Sequence, residues 1–170
     1  MVSAREDSSI AVAADWSWRF AEQRDASILL EWRNDPVSVM YSKSSAPVSP
    51  EQHAKWFEAA LRDKVNEILV AEAVGIPIAT CRFESGNLAP DAFLVSINVA
   101  ASRRGHGMGG QLLTSAISHF FSRHSSDLVA DIHKNNIASE RIFTGTGFRW
   151  VGSDGDFNRF LLRASSEDAS

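Results

Sequence analysis

The feature that most constrains the fold is a strand, a glycine-rich turn and a helix that follow one another over residues 95–121. The apolar run VSINV predicts the strand, and the turn after it reads RRGHGMGG. Apolar residues then recur at helical spacing, at Leu112, Leu113, Ala116, Ile117, Phe120 and Phe121. Glycines let a ligand approach the backbone closely, and a helix N-terminus supplies unpaired N–H groups and roughly half a positive charge. The segment therefore predicts a site that holds a pyrophosphate.

Three known patterns compete for this turn. A Walker loop is excluded, because no Gly-Lys-Ser/Thr closes it. The dinucleotide pattern Gly-x-Gly-x-x-Gly does match from Gly105 to Gly110, with Asp127 or Asp131 about 20 residues further on. Only about 60 residues follow Gly110, however, which is too few for the remaining strands of a doubly wound nucleotide domain. That position in the chain argues against the dinucleotide pattern.

The third pattern, Arg/Gln-x-x-Gly-x-Gly/Ala, starts at Arg104 and follows a strand that ends at Val99. Here the chain resembles the GNAT family of N-acetyltransferases, in which this loop holds the pyrophosphate of acetyl-coenzyme A. The resemblance implies that the strand end and the loop bind the coenzyme, through Ile97, Asn98, Val99, Arg104, Gly105, His106, Gly107, Met108, Gly109 and Gly110.

A second segment adds to the resemblance. Residues 127–133 predict a strand and residues 134–143 a short helix, with a Gly-rich stop after it. The series from Asn136 through Ser139 and Phe143 to a final Gly-Phe is similar to the family's second motif. The resemblance implies that Asn136 binds the pantetheine arm or orients the loop. It also places Ser139 and Phe143 along the helix beside the thioester.

The resemblance covers roughly residues 66–163 and implies an α/β fold. Its mixed, mostly antiparallel sheet has six to seven strands and splays between strands 4 and 5, and about four helices surround it. Before this region, Asp25 predicts the cap of a first helix and Ser49-Pro50 the start of a second, with a less regular stretch over 37–48 between them. We expect a flexible leader over 1–14, a single domain over 15–164 and a flexible tail over 165–170.

Composition excludes several classes of function. A net charge of −4 and a pI near 5.7 lack the electrostatic signature of a nucleic-acid-binding protein. The single cysteine, Cys81, can form neither an internal disulfide nor a zinc site, so the chain suits the reducing cytoplasm. The apolar run at residues 10–14 is too short for a signal sequence or a membrane span. We therefore expect a cytoplasmic protein without nucleic-acid or membrane partners.

Amide formation requires a neutral amine to attack the thioester, a stabilised oxyanion and departure of the thiolate, and it needs no metal. In the family, a tyrosine of the short helix commonly protonates the thiolate, and Phe143 stands at that position here. Phenylalanine has no proton to give. Ser139, a bound water or departure as the free thiolate therefore remain open as alternatives. His53, Glu84 and His133 are the candidates for the base.

The first third of the chain carries the evidence on the acceptor. The segments EWRND at residues 31–35 and HAKWF at residues 53–57 resemble sugar-nucleotide N-acetyltransferases. Those enzymes acetylate the 4-amino group of UDP-linked deoxyamino sugars on the way to pseudaminic acid or related nonulosonates. The resemblance implies a substrate site at Trp32, Arg33, Asn34, His53 and Trp56. Arg33 and His53 could meet diphosphate oxygens, and Trp32 or Trp56 could offer a ring face, although the aromatic side chains also suit core positions.

Other functions remain open. Relatives that share the Trp-Arg-Asn opening acetylate protein N-termini, and other relatives acetylate small amines such as polyamines. A site for polyamines is expected to have an acidic groove. The second helix and its flanks carry both acidic and basic residues, with no excess of acidic ones. A module that binds acetyl-coenzyme A without catalysis is a further alternative, which Phe143 favours. The resemblance also allows a homodimer.

Overall fold

The computed structural model describes residues 15–86 and 91–165. The predicted leader over 1–14 and the predicted tail from residue 166 onward lie outside the described residues. The strands are β1 Trp16–Phe20, β2 Glu67–Ala73, β3 Ile76–Ser85, β4 Ala92–Val99, β5 Asp127–His133, β6 Arg149–Asp154 and β7 Phe157–Leu162. The α-helices are α1 Ala26–Arg33, α2 Pro36–Met40, α3 Pro50–Arg62, α4 Met108–Phe121 and α5 Ile137–Gly145. Short 3-10 turns precede α1 and follow β4, at Gln23–Asp25 and Ala101–Arg103.

The seven described strands form one mixed sheet in the order β1-β2-β3-β4-β5-β7-β6. Neighbouring strands run antiparallel, except β4 and β5, which are parallel. The parallel register joins only residues 92–94 to residues 127–129. Beyond it, residues 95–99 of β4 and 130–133 of β5 do not pair with each other. The sheet therefore splays between β4 and β5, as predicted, and leaves backbone polar groups available along this opening.

Two helical layers cover the two faces of the sheet, because successive strand residues point to opposite sides. Leu69 of β2 packs in the core that contains Phe120 of α4 and Phe143 of α5. The next residue, Val70, packs in the core that contains Trp32 of α1 and Phe57 of α3. The opening between β4 and β5 therefore lies between the glycine-loop layer and the layer built by the first third of the chain.

Local hydrogen bonds explain where two helices begin. Helix α3 starts at Ser49-Pro50, as predicted. Ser49 Oγ accepts from Gln52 N and Gln52 Oε1 accepts from Ser49 N, which completes a capping box that the sequence analysis did not anticipate. Helix α5 begins at Ile137, three residues later than predicted. Asn136 Oδ1 accepts from Ser139 N at 3.2 Å and caps this helix.

Two expectations about the first third are corrected. Asp25 precedes α1 but its carboxylate does not cap that helix, because it accepts hydrogen bonds from Arg19 and from Glu22 N. The stretch expected to be irregular contains α2, which raises the number of described α-helices from about four to five. Asp35 caps α2 by accepting from Val37 N at 3.1 Å and Ser38 N at 3.3 Å.

Candidate active site

A cavity of about 1930 Å³ occupies the opening between β4 and β5. One wall comes from the end of β4, the glycine loop, α4 and α5. The opposite wall comes from α1, α2, α3 and the segment that joins α2 to α3. A single continuous space therefore contacts both the segment predicted to bind a coenzyme and the segment predicted to bind an acceptor.

The glycine loop leaves the N-terminus of α4 open to this cavity. Gly105 and Gly107 have φ of +78° and +72°, in the left-handed region that favours glycine. Gly107 is the N-cap of α4, and no described side chain caps the helix there. A Cβ built on Gly105, Gly107 or Gly110 would meet no described atom within 4 Å. The loop is thus shaped to let an anionic group reach the backbone N–H groups of the first turn.

Two predicted loop residues differ from the rest in their placement. His106 is exposed and does not line the cavity. Gly109 lines the cavity, but a Cβ at this position would lie only 2.6 Å from Ile142 Cδ1. A Cβ at position 109 would therefore force the Ile142 side chain to shift, because α5 packs closely on α4 there, independently of any ligand.

The guanidinium of Arg104 faces the protein. Its Nε donates to Val99 O at 2.9 Å, Nη1 donates to Asp35 Oδ2 at 2.7 Å and Nη2 donates to Asn98 Oδ1 at 3.1 Å. The hydrogen bond from Arg104 to Asp35 is the main reason why the pKa of the Asp35 carboxyl is lowered from its usual value. Ile97, Asn98 and Val99, the strand residues predicted to bind the coenzyme, line the cavity, and the Asn98 amide also donates to Trp32 O at 3.0 Å. Most guanidinium donors of Arg104 are therefore engaged with the protein, which leaves its backbone N–H as the main group that it can offer to a coenzyme.

The first turn of α5 forms part of the cavity wall. Asn136, Ser139 and Phe143 all line it. Asn136 uses its Oδ1 as the helix cap, and among the described residues its amide nitrogen has no partner. Phe143 is buried and packs edge-on against Phe148, with ring centroids 5.0 Å apart. The hydroxyl of Ser139 is therefore the only proton donor that these three side chains offer besides the Asn136 amide.

His133 and Tyr41 meet at the β5 side of the cavity, and both line it. Their ring centroids are 5.4 Å apart. His133 Nδ1 accepts from Asn135 N at 3.1 Å, which favours the tautomer with its proton on Nε2. Tyr41 escaped the sequence analysis because it lies in the stretch expected to be irregular. Its being the only tyrosine of the chain was the one sequence observation that could have marked it as a candidate site residue.

Arg33 and Arg82 bring positive charge to the acceptor side of the cavity. Arg33 Nη2 donates to Ser44 Oγ at 3.0 Å, whereas its Nη1 is buried without a hydrogen-bond partner among the described residues. Burial, and secondly the charge of Arg82, lower the pKa of Arg33. Arg82, which the sequence analysis missed, lies over the Trp56 ring with its guanidinium carbon 5.3 Å from the centroid.

His53 and Trp56 complete this side. His53 is only 5% exposed and stacks on Phe57 with centroids 5.8 Å apart. Burial, and secondly Arg82, lower its pKa, so the imidazole is neutral at pH 7. Trp56 is about one-third exposed, and its ring centroid lies 5.5 Å from the centroid of the His53 ring. A neutral histidine and an accessible indole therefore stand beside two arginines.

Besides His106, three of the predicted site residues do not line the cavity. Trp32 is 5% exposed and buried in the core with Phe57. The Asn34 amide bonds both N and O of Val48, each at 2.8 Å, and so holds the segment before α3. Glu84 lies 3.8 Å from Arg82 and outside the cavity wall. These side chains frame the site without reaching the space where substrates would bind.

The cavity wall has little negative charge. Asp131 is the only acidic residue among the described residues that line it. Lys43 Nζ lies 2.6 Å from its Oδ2 and Arg159 Nε lies 2.8 Å from its Oδ1. Because Asp131 is neutralised in this way, the acceptor side of the cavity is positively charged.

The GNAT acetyltransferase domain model matches residues 19–149, which is most of the chain. The chain therefore belongs to the GNAT acetyltransferase family, whose members are N-acetyltransferases, and no curated protein matches its sequence. No helix in the described ranges is long and apolar enough to cross a membrane.

Three solved structures show the same fold. An N-acetyltransferase from Staphylococcus aureus Mu50 has 24% identity and a TM-score of 0.73, over 89% of this chain and 100% of that chain. A putative acetyltransferase from Salmonella typhimurium with acetyl-CoA has 22% identity and a TM-score of 0.70, over 91% and 97%. Spermidine N-acetyltransferase from Vibrio cholerae, in complex with CoA and spermine, has 16% identity and a TM-score of 0.78, over 89% and 97%.

Proposed function

We propose that residues 15–164 form a cytoplasmic, acetyl-CoA-dependent N-acetyltransferase whose acceptor is the 4-amino group of a UDP-linked deoxyamino sugar. One observation carries the proposal: the open N-terminus of α4 and a positively charged acceptor wall share a single cavity at the β4–β5 opening. Both substrates of an acetyl transfer must occupy such a common space, because the amine has to reach the thioester carbonyl.

The residues present fit acetyl-CoA. The first turn of α4 would hold the pyrophosphate through backbone N–H groups, in the space left open at Gly105, Gly107 and Gly110. The unpaired backbone of β4 beyond residue 94 would hold the pantetheine arm. The Asn136 amide stands at the same cavity as a further donor. The bound coenzyme supplies an activated acetyl thioester.

Side chains and backbone groups of the cavity wall can assist the proton transfers and the charge stabilisation that the reaction requires. His53 is neutral and lines the acceptor side, so it can accept a proton from the attacking amine, directly or through water. Backbone N–H groups of β4 at the opening can stabilise the oxyanion. Because position 143 holds a phenylalanine, the side chains of Ser139, His133 and Tyr41, which line the same cavity, are candidates to donate a hydrogen bond to the departing sulfur. Glu84 is the weakest of the predicted catalytic candidates, because it lies outside the cavity wall.

The charge of the acceptor wall supports a phosphate-bearing acceptor. Arg33 presents a buried N–H group without a protein partner, and Arg82 lies close enough to lower the pKa of Arg33. An anion placed between them would satisfy that donor and offset the repulsion of the two charges. Polycationic acceptors, such as the spermine bound to the Vibrio cholerae enzyme, would find no uncompensated carboxylate on the described wall.

Turnover tests this proposal. Purified protein and acetyl-CoA should release free thiol with a UDP-4-amino-4,6-dideoxy sugar, and not with peptides that carry free N-termini or with spermidine. Arg33→Gln should raise KM for the sugar nucleotide at least about tenfold, because a charged hydrogen bond contributes ~1.5–3 kcal/mol. Arg62→Gln, at an exposed position on α3, is the matched control and should leave KM unchanged.

The other outcomes are equally informative. Turnover with peptides or polyamines alone would keep the enzyme class and refute the sugar-nucleotide acceptor. Coenzyme binding without turnover on any amine would favour a non-catalytic acetyl-CoA-binding module, with Phe143 as its explanation.

A further inference from the structure

Arg104 connects two parts of the cavity wall that lie far apart in sequence. It belongs to the glycine loop, and its Nη1 lies 2.7 Å from Asp35 Oδ2, at the start of α2 on the acceptor side. Its Nη2 also lies 3.4 Å from Ser38 Oγ in the first turn of α2. The loop and the acceptor wall are therefore joined directly through one side chain.

Asp35 has two tasks at this junction. The same Oδ2 that binds Arg104 accepts the N–H groups of Val37 and Ser38, which begin α2. Helix α2 has only five residues, so it depends on its cap and its tertiary contacts rather than on intrinsic helix stability. Val37, Ser38 and Tyr41 all line the cavity. Whatever orders the Arg104–Asp35 pair therefore orders part of the acceptor wall.

Asn98, on β4, connects the sheet to the contacts between Arg104 and α2. Its Oδ1 accepts from Arg104 Nη2, and its Nδ2 donates to Ser38 Oγ at 3.1 Å and to Trp32 O at 3.0 Å. Asn98 lies on the part of β4 that faces the opening. The network thus includes the strand end, the coenzyme loop and both helices α1 and α2.

We propose that Asp35 and Arg104 are positioning residues that couple the coenzyme loop to the acceptor wall, so that coenzyme binding orders α2 before the acceptor is acetylated. The inference rests on the proposed binding of coenzyme A at this loop. Holding the Arg104 backbone against a pyrophosphate fixes the guanidinium, which in turn fixes the cap of α2. By linkage, an acceptor that orders α2 raises the affinity for the coenzyme by the same factor.

Amide hydrogen exchange with and without coenzyme A tests the coupling without requiring the acceptor. In the unmodified protein, saturating coenzyme A should slow exchange in the glycine loop and also slow it about 5-fold or more over residues 37–41, the lower range of typical coupling between sites. In Asp35→Asn, which keeps an oxygen for the cap but removes the charge, the slowing over residues 37–41 should be lost. Slowing in the loop should remain.

Asp63→Asn is the matched control. Asp63 also accepts the N–H groups two and three residues ahead, Val65 N at 2.7 Å and Asn66 N at 3.1 Å, and among the described residues it has no arginine partner. Its substitution should leave the coenzyme-dependent slowing over residues 37–41 intact. A variant that alters only local folding would change exchange equally with and without coenzyme.

The possible failures can be told apart. If coenzyme A slows no exchange in the loop, the proposed coenzyme site is wrong. If it protects the loop but leaves α2 unchanged, or if Asp35→Asn retains the full slowing in α2, the coenzyme site stands and the coupling is refuted. Arg104→Lys, which keeps the charge but loses the fork that reaches Asn98 and Asp35 together, should give an intermediate slowing.

Discussion

At the scale of single residues, Gly107 and Gly75 are a matched pair for testing the coenzyme loop by substitution. Their φ angles are +72° and +73°, and a Cβ on either would meet no described atom within 4 Å. Gly107 begins α4 beside the cavity, whereas Gly75 lies in the turn between β2 and β3. Alanine should therefore cost roughly 1–2 kcal/mol of folding free energy at either position, because both require a left-handed backbone.

Only Gly107→Ala should also weaken coenzyme A binding. Its Cβ would enter the space assigned to the pyrophosphate, and we expect Kd to rise by about tenfold or more, equivalent to ~1.4 kcal/mol. Calorimetric titration with coenzyme A gives Kd, and chemical denaturation gives stability. Equal affinities in Gly107→Ala and Gly75→Ala would contradict the assignment of this loop.

Residue types predicted the cavity better than they predicted side-chain roles. The glycines were identified because backbone conformation in a turn depends on local sequence. Asn136 was identified only through the family resemblance, and its role as the cap of α5 was not predicted. The inward contacts of Arg104 were missed because its partner Asp35 lies 69 positions away and only the folded chain brings them together. Arg82 was missed for the same reason, since its neighbours Arg33 and His53 lie on other elements.

At the scale of elements, the packing of α4 on α5 depends on Gly109. A Cβ there would approach Ile142 Cδ1 to 2.6 Å, so Gly109→Ala should destabilise the protein by about 1–3 kcal/mol despite the better helix propensity of alanine. The neighbouring Gly110→Ala is the control. It has open space at its Cβ and should be neutral or stabilising by up to ~1 kcal/mol.

Ile142→Val removes the clashing methyl group and should rescue Gly109→Ala. The double variant should be more stable than the sum of the single effects predicts, with a coupling of about 0.5–3 kcal/mol in urea denaturation. Strict additivity would show that the destabilisation has another origin.

The boundaries of most helices and strands could be predicted from the sequence, because capping residues and alternating patterns are local signals. Helix α2 could not be predicted in this way. It is held by the contact of Asp35 with Arg104, and it has too few residues for a periodic signal.

At the scale of the whole molecule, the candidate active site lies where two separately packed layers meet at the β4–β5 opening. Each layer has its own core, one around Phe120 and the other around Phe57. Polar bonds tie them together across the opening, from Arg104 to Asp35 and from Asp131 to Lys43. The two walls of the cavity are therefore held by different cores, and their relative placement depends on these polar contacts.

The burial of histidines in this arrangement predicts an acid-sensitive stability. Burial is the largest cause that lowers the pKa of His53 and of His119 below the ordinary value of 6.5. Below pH 6.5 the unfolded chain therefore binds protons that the folded protein excludes, and the free energy of unfolding should fall as the pH decreases from 6.5 toward the lower folded pKa values. The carboxyl groups with lowered pKa values, such as Asp35, contribute only at still lower pH.

Urea denaturation at pH 7.5, 6.5 and 5.5 measures this loss of stability. His53→Phe preserves an aromatic ring against Phe57 and should reduce the loss between pH 6.5 and 5.5, because the variant removes one of the two groups that resist protonation. His106→Asn, at an exposed loop position, should leave the loss unchanged. If His53→Phe loses as much stability on acidification as the unmodified protein does, then folding does not lower the pKa of His53. The imidazole would then carry a positive charge beside Arg82 below pH 6.5, and its assignment as the neutral base of the proposed reaction would hold only above that pH.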